Sequence, residues 1–257
     1  GQGYDVARAC ITAGAHYIDL ADGRDFVAGI DSLHPQALKK GVLIVSGASS
    51  VPCLTAAVVD YFQPSFSSLV TLDYGITTAQ QTARGLATTS AILGYTGQPF
   101  STLINGKSQN LYGWQNTTLR RYPGLGWRLL GNCDVPDMAL FPQRYPSLET
   151  IHFRAGIELP FIHLGLWGLS WLVRIRLINN LAAFARPLLK MSDLFNHFGG
   201  DTSAFHARLS GKDPHGKDKT ITFELLARDG DGPYIPCMPS ILLAKRLASR
   251  ELSATGA

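Results

Sequence analysis

Hydrophobic positions in the first quarter of the chain alternate between helical spacing and short apolar runs. Val6, Cys10 and Ala13 recur four and three residues apart, which predicts a helix that stops at Gly14. Residues 42–45 are apolar throughout, as expected for a strand that is covered on both faces. This alternation is typical of a parallel α/β sheet. The predicted order is helix 6–13, strand 16–20, helix 31–40, strand 42–45 and helix 54–62.

After Pro64 the strands and helices are grouped rather than alternating. Apolar residues at 205, 207 and 209, and again at 221, 223 and 225, predict a hairpin over 203–228. Because an isolated hairpin is only marginally stable, we expect it to belong to a larger sheet with one face buried. We also expect strands at 69–76 and 151–157, only short elements in 94–147, and helices at 80–93, 161–195 (broken near Pro187) and 240–250.

This change of rhythm predicts two domains, residues 1–63 and residues 64–257. The expected fold class is α/β followed by α+β: the last part of a parallel sheet, then a domain with a mixed or antiparallel sheet. A chain of 257 residues is long enough to bury a core without disulfides or metals.

Composition and charge exclude several classes of protein. Hydrophobic residues make up 46% and charged residues 16% of the chain, which excludes a disordered chain and a coiled coil. The net charge is +4, but the main basic cluster, Lys212, Lys217 and Lys219, is interrupted by Asp213 and Asp218. We interpret this cluster as a solvated loop and expect no nucleic-acid partner.

The four cysteines lie far apart, at positions 10, 53, 133 and 237. No Cys or His spacing in the chain suits zinc, so we expect no metal site. The absence of a signal-peptide pattern favours a reducing, cytoplasmic location.

The loop 46–52 follows a buried strand and precedes a helix. Ligands of open α/β sheets bind beyond the carboxyl ends of strands, and small residues there let a ligand approach the backbone. Gly47, Ala48, Ser49 and Ser50 are therefore candidate cofactor contacts. A strand-to-helix turn with a serine cap is an equally good interpretation of the same residues.

The opening residues, 1–6, match a dinucleotide fingerprint poorly, because Val6 stands at the third glycine position. A loop that enters a helix can nevertheless present backbone N–H groups to an anion. Gly1 and Gly3 are therefore also candidate cofactor contacts.

Asp19 and Asp22 follow the other predicted strand end and are candidate substrate contacts. Neighbouring carboxylates can tune one another for acid–base work, although Asp22-Gly23 is also an ordinary turn signal. No Ser-His-Asp order or Gly-x-Ser-x-Gly elbow is present, so no catalytic residue is assigned.

Residues 161–178 form an apolar stretch with Trp167, Trp171, Arg174 and Arg176. The uncharged run is too short to span a bilayer, which needs about 20 apolar residues. We expect a helix that is buried in the core or at a subunit contact, with both tryptophans on one face. Contact with a membrane surface is the alternative interpretation.

Three segments of the chain resemble the saccharopine dehydrogenase-like oxidoreductases. They are YDVARACITAGAHYIDLADGRDFV, GVLIVSGASSVPCLTAAVVD and TFELLARDGDGPYIPCMPSILLAKRLA. The resemblance covers both ends of the chain, with a variable middle between them. Members of this family carry an N-terminal Rossmann domain with a GxGxxG turn, and no such turn stands in this sequence.

The resemblance implies that the chain is the C-terminal portion of a longer protein. Residues 1–63 would then be the end of a Rossmann-like domain, and residues 64–257 a substrate or dimerisation domain of a homodimer. The implied activity is NAD(P)-dependent oxidation or reduction at a C–N bond of an amino-acid-like substrate, with the nicotinamide near residues 47–52 and the substrate toward residues 69–76. This portion alone is expected to bind NAD(P) weakly and to be inactive. The alternative is a non-catalytic scaffold that acts through dimerisation or membrane-surface contact of the 161–178 helix.

Overall fold

The computed structural model describes residues 3–257, which divide into two compact units. The first unit contains the described residues up to Tyr61, together with Val135–Pro146 and Tyr234–Ala257. The second unit contains Phe62–Asp134 and Ser147–Pro233. The expected division after residue 63 lies close to the first boundary. The sequence pattern alone assigns the two later segments to the second domain, whereas in the structure they pack with the first unit.

The first unit is built around two short parallel strands, β1 (Tyr17–Ile18) and β2 (Ile44–Val45). Tyr17 is paired with Ile44, and Ile18 with Val45. The parallel pairing confirms the α/β character expected for this part of the chain. The helices of this unit are α1 (Asp5–Ala13), α2 (Arg24–Ala28), α3 (His34–Lys40), α4 (Thr55–Phe62, ending at the unit boundary), α6 (Asp137–Arg144) and α9 (Met238–Ala248).

The core of the first unit corrects the predicted face of α1. Ala7 and Ile11 are buried, whereas Val6 is 61% exposed. Ala7 and Ile11 are four residues apart and satisfy helical spacing as well as the predicted set does. The small Ala7 side chain lets α1 approach a cluster that also contains Ile30, Leu33, Ala37, Val42 and Ile44.

The last residues of the chain complete this small sheet. Gly256 forms a parallel bridge with Leu43, donates to the carbonyl of Val42 at 2.9 Å and accepts from the amide of Ile44 at 2.8 Å. The Nδ1 atom of His34 lies 2.8 Å from the Ala257 carbonyl oxygen and 3.0 Å from the Ala257 amide. The two-residue strand β2 therefore has a backbone partner on each side.

The second unit is built on a six-stranded mixed sheet, which confirms the mixed-sheet expectation. The central strand β3 (Ser68–Thr78) is parallel to β8 (Thr150–Ile157) and antiparallel to β9 (Ser203–Lys212). The remaining strands of this sheet are β6 (Thr118–Tyr122), β7 (Gly126–Asn132) and β10 (Asp218–Ala227), in the order β10-β9-β3-β8-β7-β6. A separate hairpin of β4 (Pro99–Ile104) and β5 (Lys107–Tyr112), and helices α5 (Leu86–Tyr95), α7 (Pro160–Arg174) and α8 (Ala185–Asp193), complete the unit.

The predicted hairpin is strands β9 and β10, and its place in a larger sheet is confirmed. The burial of β9 is greater than expected, because its first five residues, 203–207, are buried on both faces. Strand β9 lies between β3 and β10, so it is an interior strand rather than a half-exposed one.

Two helix predictions in this unit are wrong in their limits. The predicted helix 80–93 begins only at Leu86, because residues 80–84 are held by side-chain hydrogen bonds in a non-helical turn. The predicted break near Pro187 lies earlier in the chain. Helix α7 ends at Arg174, Arg176 has a left-handed backbone, and α8 starts at Ala185. Pro187 therefore lies in the first turn of α8, where its missing N–H costs nothing.

Residues 94–147 contain more regular structure than the sequence predicts, including two hairpins and α6. Turns with left-handed residues, such as Asn105-Gly106, join β4 to β5. Across residues 3–257, no helix combines the length and the apolar character that crossing a membrane requires.

Candidate functional site

The loops that follow β1 and β2 meet at the carboxyl edge of the parallel strands, through Asp19. Asp19 Oδ1 accepts hydrogen bonds from Ser46 Oγ at 2.9 Å, from the Gly47 amide at 3.0 Å and from the Ala21 amide at 2.9 Å. The Asp19 carbonyl accepts from the Ala48 amide at 2.9 Å. The structure thus brings together predicted site residues that lie almost thirty positions apart in the sequence.

One oxygen of Asp19 is not used in this way. Oδ2 is buried, and no donor among the described residues reaches it with normal hydrogen-bond geometry. The pKa of the neighbouring Tyr17 is raised well above its usual value, first by burial and then by its interaction with Asp19. Asp19 therefore holds both loops through Oδ1, whereas its Oδ2 is shielded from solvent without a hydrogen-bond donor among the described residues.

The backbone at Gly47 is adapted to a tight loop. Its φ of +74° lies in the left-handed region, and an added Cβ would stand 2.9 Å from atoms of both Pro52 and Val27. Helix α9 also holds the loop, because Ser240 Oγ at its start donates to the Ala48 carbonyl at 2.6 Å. The late segment of the chain thus supports the predicted site.

Backbone amides in this loop do not form an anion cradle. The amides of Gly47 and Ala48 donate to Asp19, and the Ser49 amide donates to the Gly47 carbonyl at 2.7 Å. A pyrophosphate needs free N–H groups, as at helix N-termini and glycine-rich turns. The amides of Gly47, Ala48 and Ser49 are therefore not available to a phosphate group. Ser49 is buried and Ser50 half-buried within the loop.

The other predicted contacts are placed differently. Asp22 is exposed and forms no hydrogen bond with the Gly47 loop within the described range; partial desolvation raises the pKa of its carboxyl. Gly3 is exposed, and a Cβ there would meet only Asp5 Oδ2, at 3.8 Å, so nothing requires glycine at this position. Gly1 lies outside the described residues.

A second cluster, which sequence reasoning missed, covers one face of the sheet in the second unit. Gly75 of β3 is paired with Arg154 of β8 and with His206 of β9, so these residues share a face. The next row of the same face pairs Asp73 with His152 and Arg208. We call this the polar sheet face, and it comprises Asp73, Arg120, Tyr122, His152, Arg154, His206, Arg208 and Glu224.

Ion pairs and hydrogen bonds tie the polar sheet face together. Arg154 donates to Asp73 Oδ1, and Arg120 Nη2 lies 2.9 Å from Glu224 Oε1. The Nε atoms of Arg120 and Arg154 are buried without an acceptor within the described part of the chain. Two guanidinium groups thus retain a buried donor each, which is unusual unless a ligand or water accepts from them.

The histidines of this face are held neutral. Tyr122 Oη lies 2.7 Å from His206 Nδ1, and burial, followed by the charges of Arg120 and Arg154, lowers the pKa of His206 to about 3. Burial and the Arg154 charge also lower the pKa of His152. A face with cationic guanidiniums, carboxylates and neutral imidazoles can bind a ligand that carries both a carboxylate and an amine.

Sequence reasoning missed this cluster because its members come from five strands that are distant in the chain. The available signal was polar residues at every second position of otherwise apolar strands, such as His152 and Arg154 in β8, or His206 and Arg208 in β9. This alternation indicates which residues of one strand share a face of the sheet, but it does not indicate which strands are neighbours. Across residues 3–257, no group of three or more His, Cys, Asp or Glu side chains is arranged to hold a metal ion.

Comparison with known proteins gives a likeness in fold. No model of a protein family matches the chain, and no curated protein matches it in sequence. Among solved structures, the chain is similar to apo saccharopine dehydrogenase (L-Glu forming) from Saccharomyces cerevisiae. The TM-score is 0.64 at 10% identity, and the match covers 97% of this chain and 74% of that chain.

A second similar structure is a meso-dapdh mutant with DAP from Clostridium tetani E88. It has a TM-score of 0.42 at 12% identity, and the match covers 100% of this chain and 72% of that chain. A score this low supports no conclusion. The first likeness shows that the chain shares the fold of a saccharopine dehydrogenase, as the sequence resemblance leads one to expect.

Proposed function

We propose that this chain is the C-terminal portion of an NAD(P)-dependent oxidoreductase of the saccharopine dehydrogenase type, acting at a C–N bond of an amino-acid-like substrate. The observation that carries the proposal is the meeting of the β1 and β2 loops at Asp19, at the carboxyl edge of parallel strands. Open α/β sheets bind their ligands at this edge. The shared fold with a saccharopine dehydrogenase supports the same assignment.

In this proposal the cofactor lies with its nicotinamide against residues 47–50. When bound, NAD(P) supplies or accepts a hydride. The left-handed turn at Gly47 packs closely against Pro52 and Val27, and Asp19 fixes the turn without offering phosphate ligands. We assign the phosphate contacts to a glycine-rich turn in a segment that precedes residue 1. This portion alone is therefore expected to bind NAD(P) weakly and to be inactive.

The polar sheet face is the proposed substrate surface. It includes Asp73, within the segment 69–76 toward which the family resemblance implies that the substrate lies. The buried, unused Nε donors of Arg120 and Arg154 suit a substrate carboxylate. Asp73 and Glu224 provide carboxylates for a substrate amine.

Saturation-transfer NMR with NADPH tests the cofactor part, since the method detects weak binding. We expect stronger transfer to nicotinamide protons than to adenine protons, and its loss in Gly47→Ala. Gly41→Ala is the matched control, because Gly41 has a similar φ of +65° but no neighbour within 4 Å of an added Cβ. Equal loss in both variants, or preferential transfer to adenine, would contradict the placement. Saturable micromolar binding of NADPH or NADH in calorimetry would overturn the proposed incompleteness of the site.

We also propose a second candidate function, a non-catalytic scaffold, because one face of α7 is exposed. Phe161 is 52%, Trp167 38% and Trp171 40% exposed, whereas His163, Leu166, Ser170 and Val173 on the opposite face are buried. The two indoles lie edge to face, 6.3 Å apart, which confirms that they share one side of the helix. That side is only partly covered by the chain itself and is suited to a second copy or to a membrane surface.

Sedimentation experiments distinguish a second copy of the chain from a membrane surface as the partner of α7. A concentration-dependent dimer that the double substitution Trp167→Ser/Trp171→Ser dissociates supports a homodimer through α7. Salt-sensitive co-sedimentation with anionic liposomes, lost in the same variant, supports membrane contact. A chain that stays monomeric and does not co-sediment with liposomes would exclude the scaffold function.

A further inference from the structure

An apolar cavity lies between three helices of the second unit, away from the polar sheet face. Its volume of about 550 Å³ is within the range of small-molecule sites. The cavity is open to solvent, since Gly165 and two other lining residues, Phe161 and Met191, are exposed. The walls are aliphatic, with Ile92 and Leu93 from α5, Leu166 and Leu169 from α7, and Leu188 and Leu189 from α8.

One charged side chain, Arg84, lines this cavity. Its guanidinium donates to Ser192 Oγ at 2.8 Å and to Gln80 Oε1 at 2.7 Å, which fixes its position. Its Nε is buried and has no acceptor among the residues described. No carboxylate in residues 3–257 lies within ion-pair distance of it, since Glu158 pairs with Arg128 at 3.1 Å and Asp193 is exposed and acts only at longer range.

The apolar lining and the Arg84 charge together define the kind of ligand that this cavity can bind. Burial lowers the pKa of Arg84, so its positive charge is held in a partly dehydrated place, and Asp193 and Glu158 act on it only without direct ion-pair contact. A desolvated cation beside aliphatic walls is costly unless an anion pairs with it. Apart from Arg84, Thr89 and Ser192, the lining is apolar, and it favours a flexible hydrocarbon chain.

We propose that this cavity binds a long-chain carboxylate, a fatty acid or a related acyl acid, with its tail between α5, α7 and α8 and its carboxylate on Arg84. The site is independent of the proposed cofactor loop, because it lies wholly within the second unit. It would give the protein a lipid-responsive function in addition to its proposed reaction.

Calorimetry with three probes tests the proposal on the full chain. Dodecanoate, used below the concentration at which it forms micelles, should bind saturably with one site per chain. Butanoate has the carboxylate without the tail, and dodecyltrimethylammonium has the tail with the opposite charge. Both should bind at least about tenfold more weakly, because each loses one of the two interactions.

Two glycines of the same helix provide a matched pair of variants. An added Cβ at Gly165 or at Gly168 meets no atom within 4 Å, but only Gly165 lines the cavity. Leucine is a better helix former than glycine, so both variants should fold. We expect Gly165→Leu to weaken dodecanoate binding about tenfold or more by blocking the mouth of the cavity, and Gly168→Leu to leave it unchanged.

Arg84→Gln should remove the preference for dodecanoate over the cationic amphiphile. Since that variant also loses contacts with Gln80 and Ser192, amide shift mapping on the wild-type chain provides a test that needs no variant. Shifts on dodecanoate addition should be concentrated in α5, α7 and α8. Equal binding of both amphiphiles, equal effects of the two glycine variants, or shifts located elsewhere would each overturn the proposal.

Discussion

The two units of this protein hold their sheets together by different means. In the first unit, two-residue strands are completed by side-chain and terminal contacts: the Asp19 hydrogen bonds at one end, and Gly256 alongside β2. In the second unit, β3 and its neighbours run for eight to eleven residues over a buried apolar core. The first arrangement fixes loops and depends on a few polar atoms. The second tolerates a polar face because the opposite face supplies the stability.

This contrast can be measured because all four tryptophans, at positions 114, 127, 167 and 171, lie in the second unit. Tryptophan fluorescence during urea unfolding therefore reports on that unit alone, whereas circular dichroism reports on both. A substitution that acts within one unit should shift the two signals differently if the units unfold separately, and equally if they unfold together.

The largest expected effect is in the sheet core. Phe205 on β9 is 1% exposed, and Phe205→Ala should lower the free energy of unfolding by about 3–5 kcal/mol. Phe223→Ala is the matched control on the paired strand β10, where the ring is half-buried against Phe62 and Phe205. It should cost less than half as much. Equal losses in urea unfolding would mean that β9 is no more interior than β10.

Acidification should destabilise the second unit through its buried histidines. Burial lowers the pKa of His206 to about 3 and that of His163 to about 4, from an ordinary value near 6.5. Unfolded histidines bind protons first, so stability is complete above pH 6.5 and is lost as the pH falls toward 4. Each group should lose roughly 2 kcal/mol between pH 7 and pH 5.

His206→Gln should remove about half of this pH dependence, because glutamine can still accept from Tyr122 but does not titrate. His197→Gln is the control, since His197 is exposed and should leave the dependence unchanged. Urea unfolding monitored by tryptophan fluorescence at several pH values measures both. If the free energy of unfolding of the wild type does not depend on pH, these histidines bind protons as readily in the folded state as in the unfolded state.

An intermediate effect is expected at the loop junction of the first unit. Asp19→Ala removes the acceptor for Ser46, Gly47 and Ala21 and should cost about 2–3 kcal/mol. Asp19→Asn keeps an acceptor at Oδ1 and should cost less than 1.5 kcal/mol, a roughly twofold smaller effect. Circular dichroism during urea unfolding compares them. If Asp19→Asn is as destabilising as Asp19→Ala, the charge rather than the acceptor holds the loops.

The smallest stability effect is expected on the exposed side of α7. Trp167→Ser/Trp171→Ser should lower the free energy of unfolding of the monomer by about 1–2 kcal/mol, since both indoles are more than one-third exposed. Part of this loss reflects the Arg174 guanidinium, which lies 4.9 Å from the Trp171 ring. Thermal unfolding at low protein concentration provides the measurement. Complete loss of the fold would show that this side of α7 belongs to the core.

The local sequence pattern predicts where a strand lies far better than it predicts which strands pair with it. The alternation of residues 203–209 and 221–225 placed β9 and β10 almost to the residue, because turn chemistry and side-chain period are local properties. The pairing of β3 with β8 and β9 depends on contacts between distant segments, and no local pattern contains it. The candidate site divides in the same way. Asp19 and Gly47 can be proposed from the sequence because each follows a recognisable strand, whereas Arg154 and His206 share one surface only through the strand order.

The position of Gly256 has a consequence for the order in which the protein takes shape during synthesis. The second unit can assemble its sheet once residue 227 has left the ribosome, since β10 is its last strand. Strand β2 precedes all strands of the second unit, yet it receives its second partner only when Gly256 emerges. The small sheet is therefore completed after the large one, and the Asp19 junction must wait, partly supported, while the strands of the second unit are made. Chaperones that recognise unfinished strand edges would be expected to bind at the small sheet of the first unit rather than at the large sheet of the second.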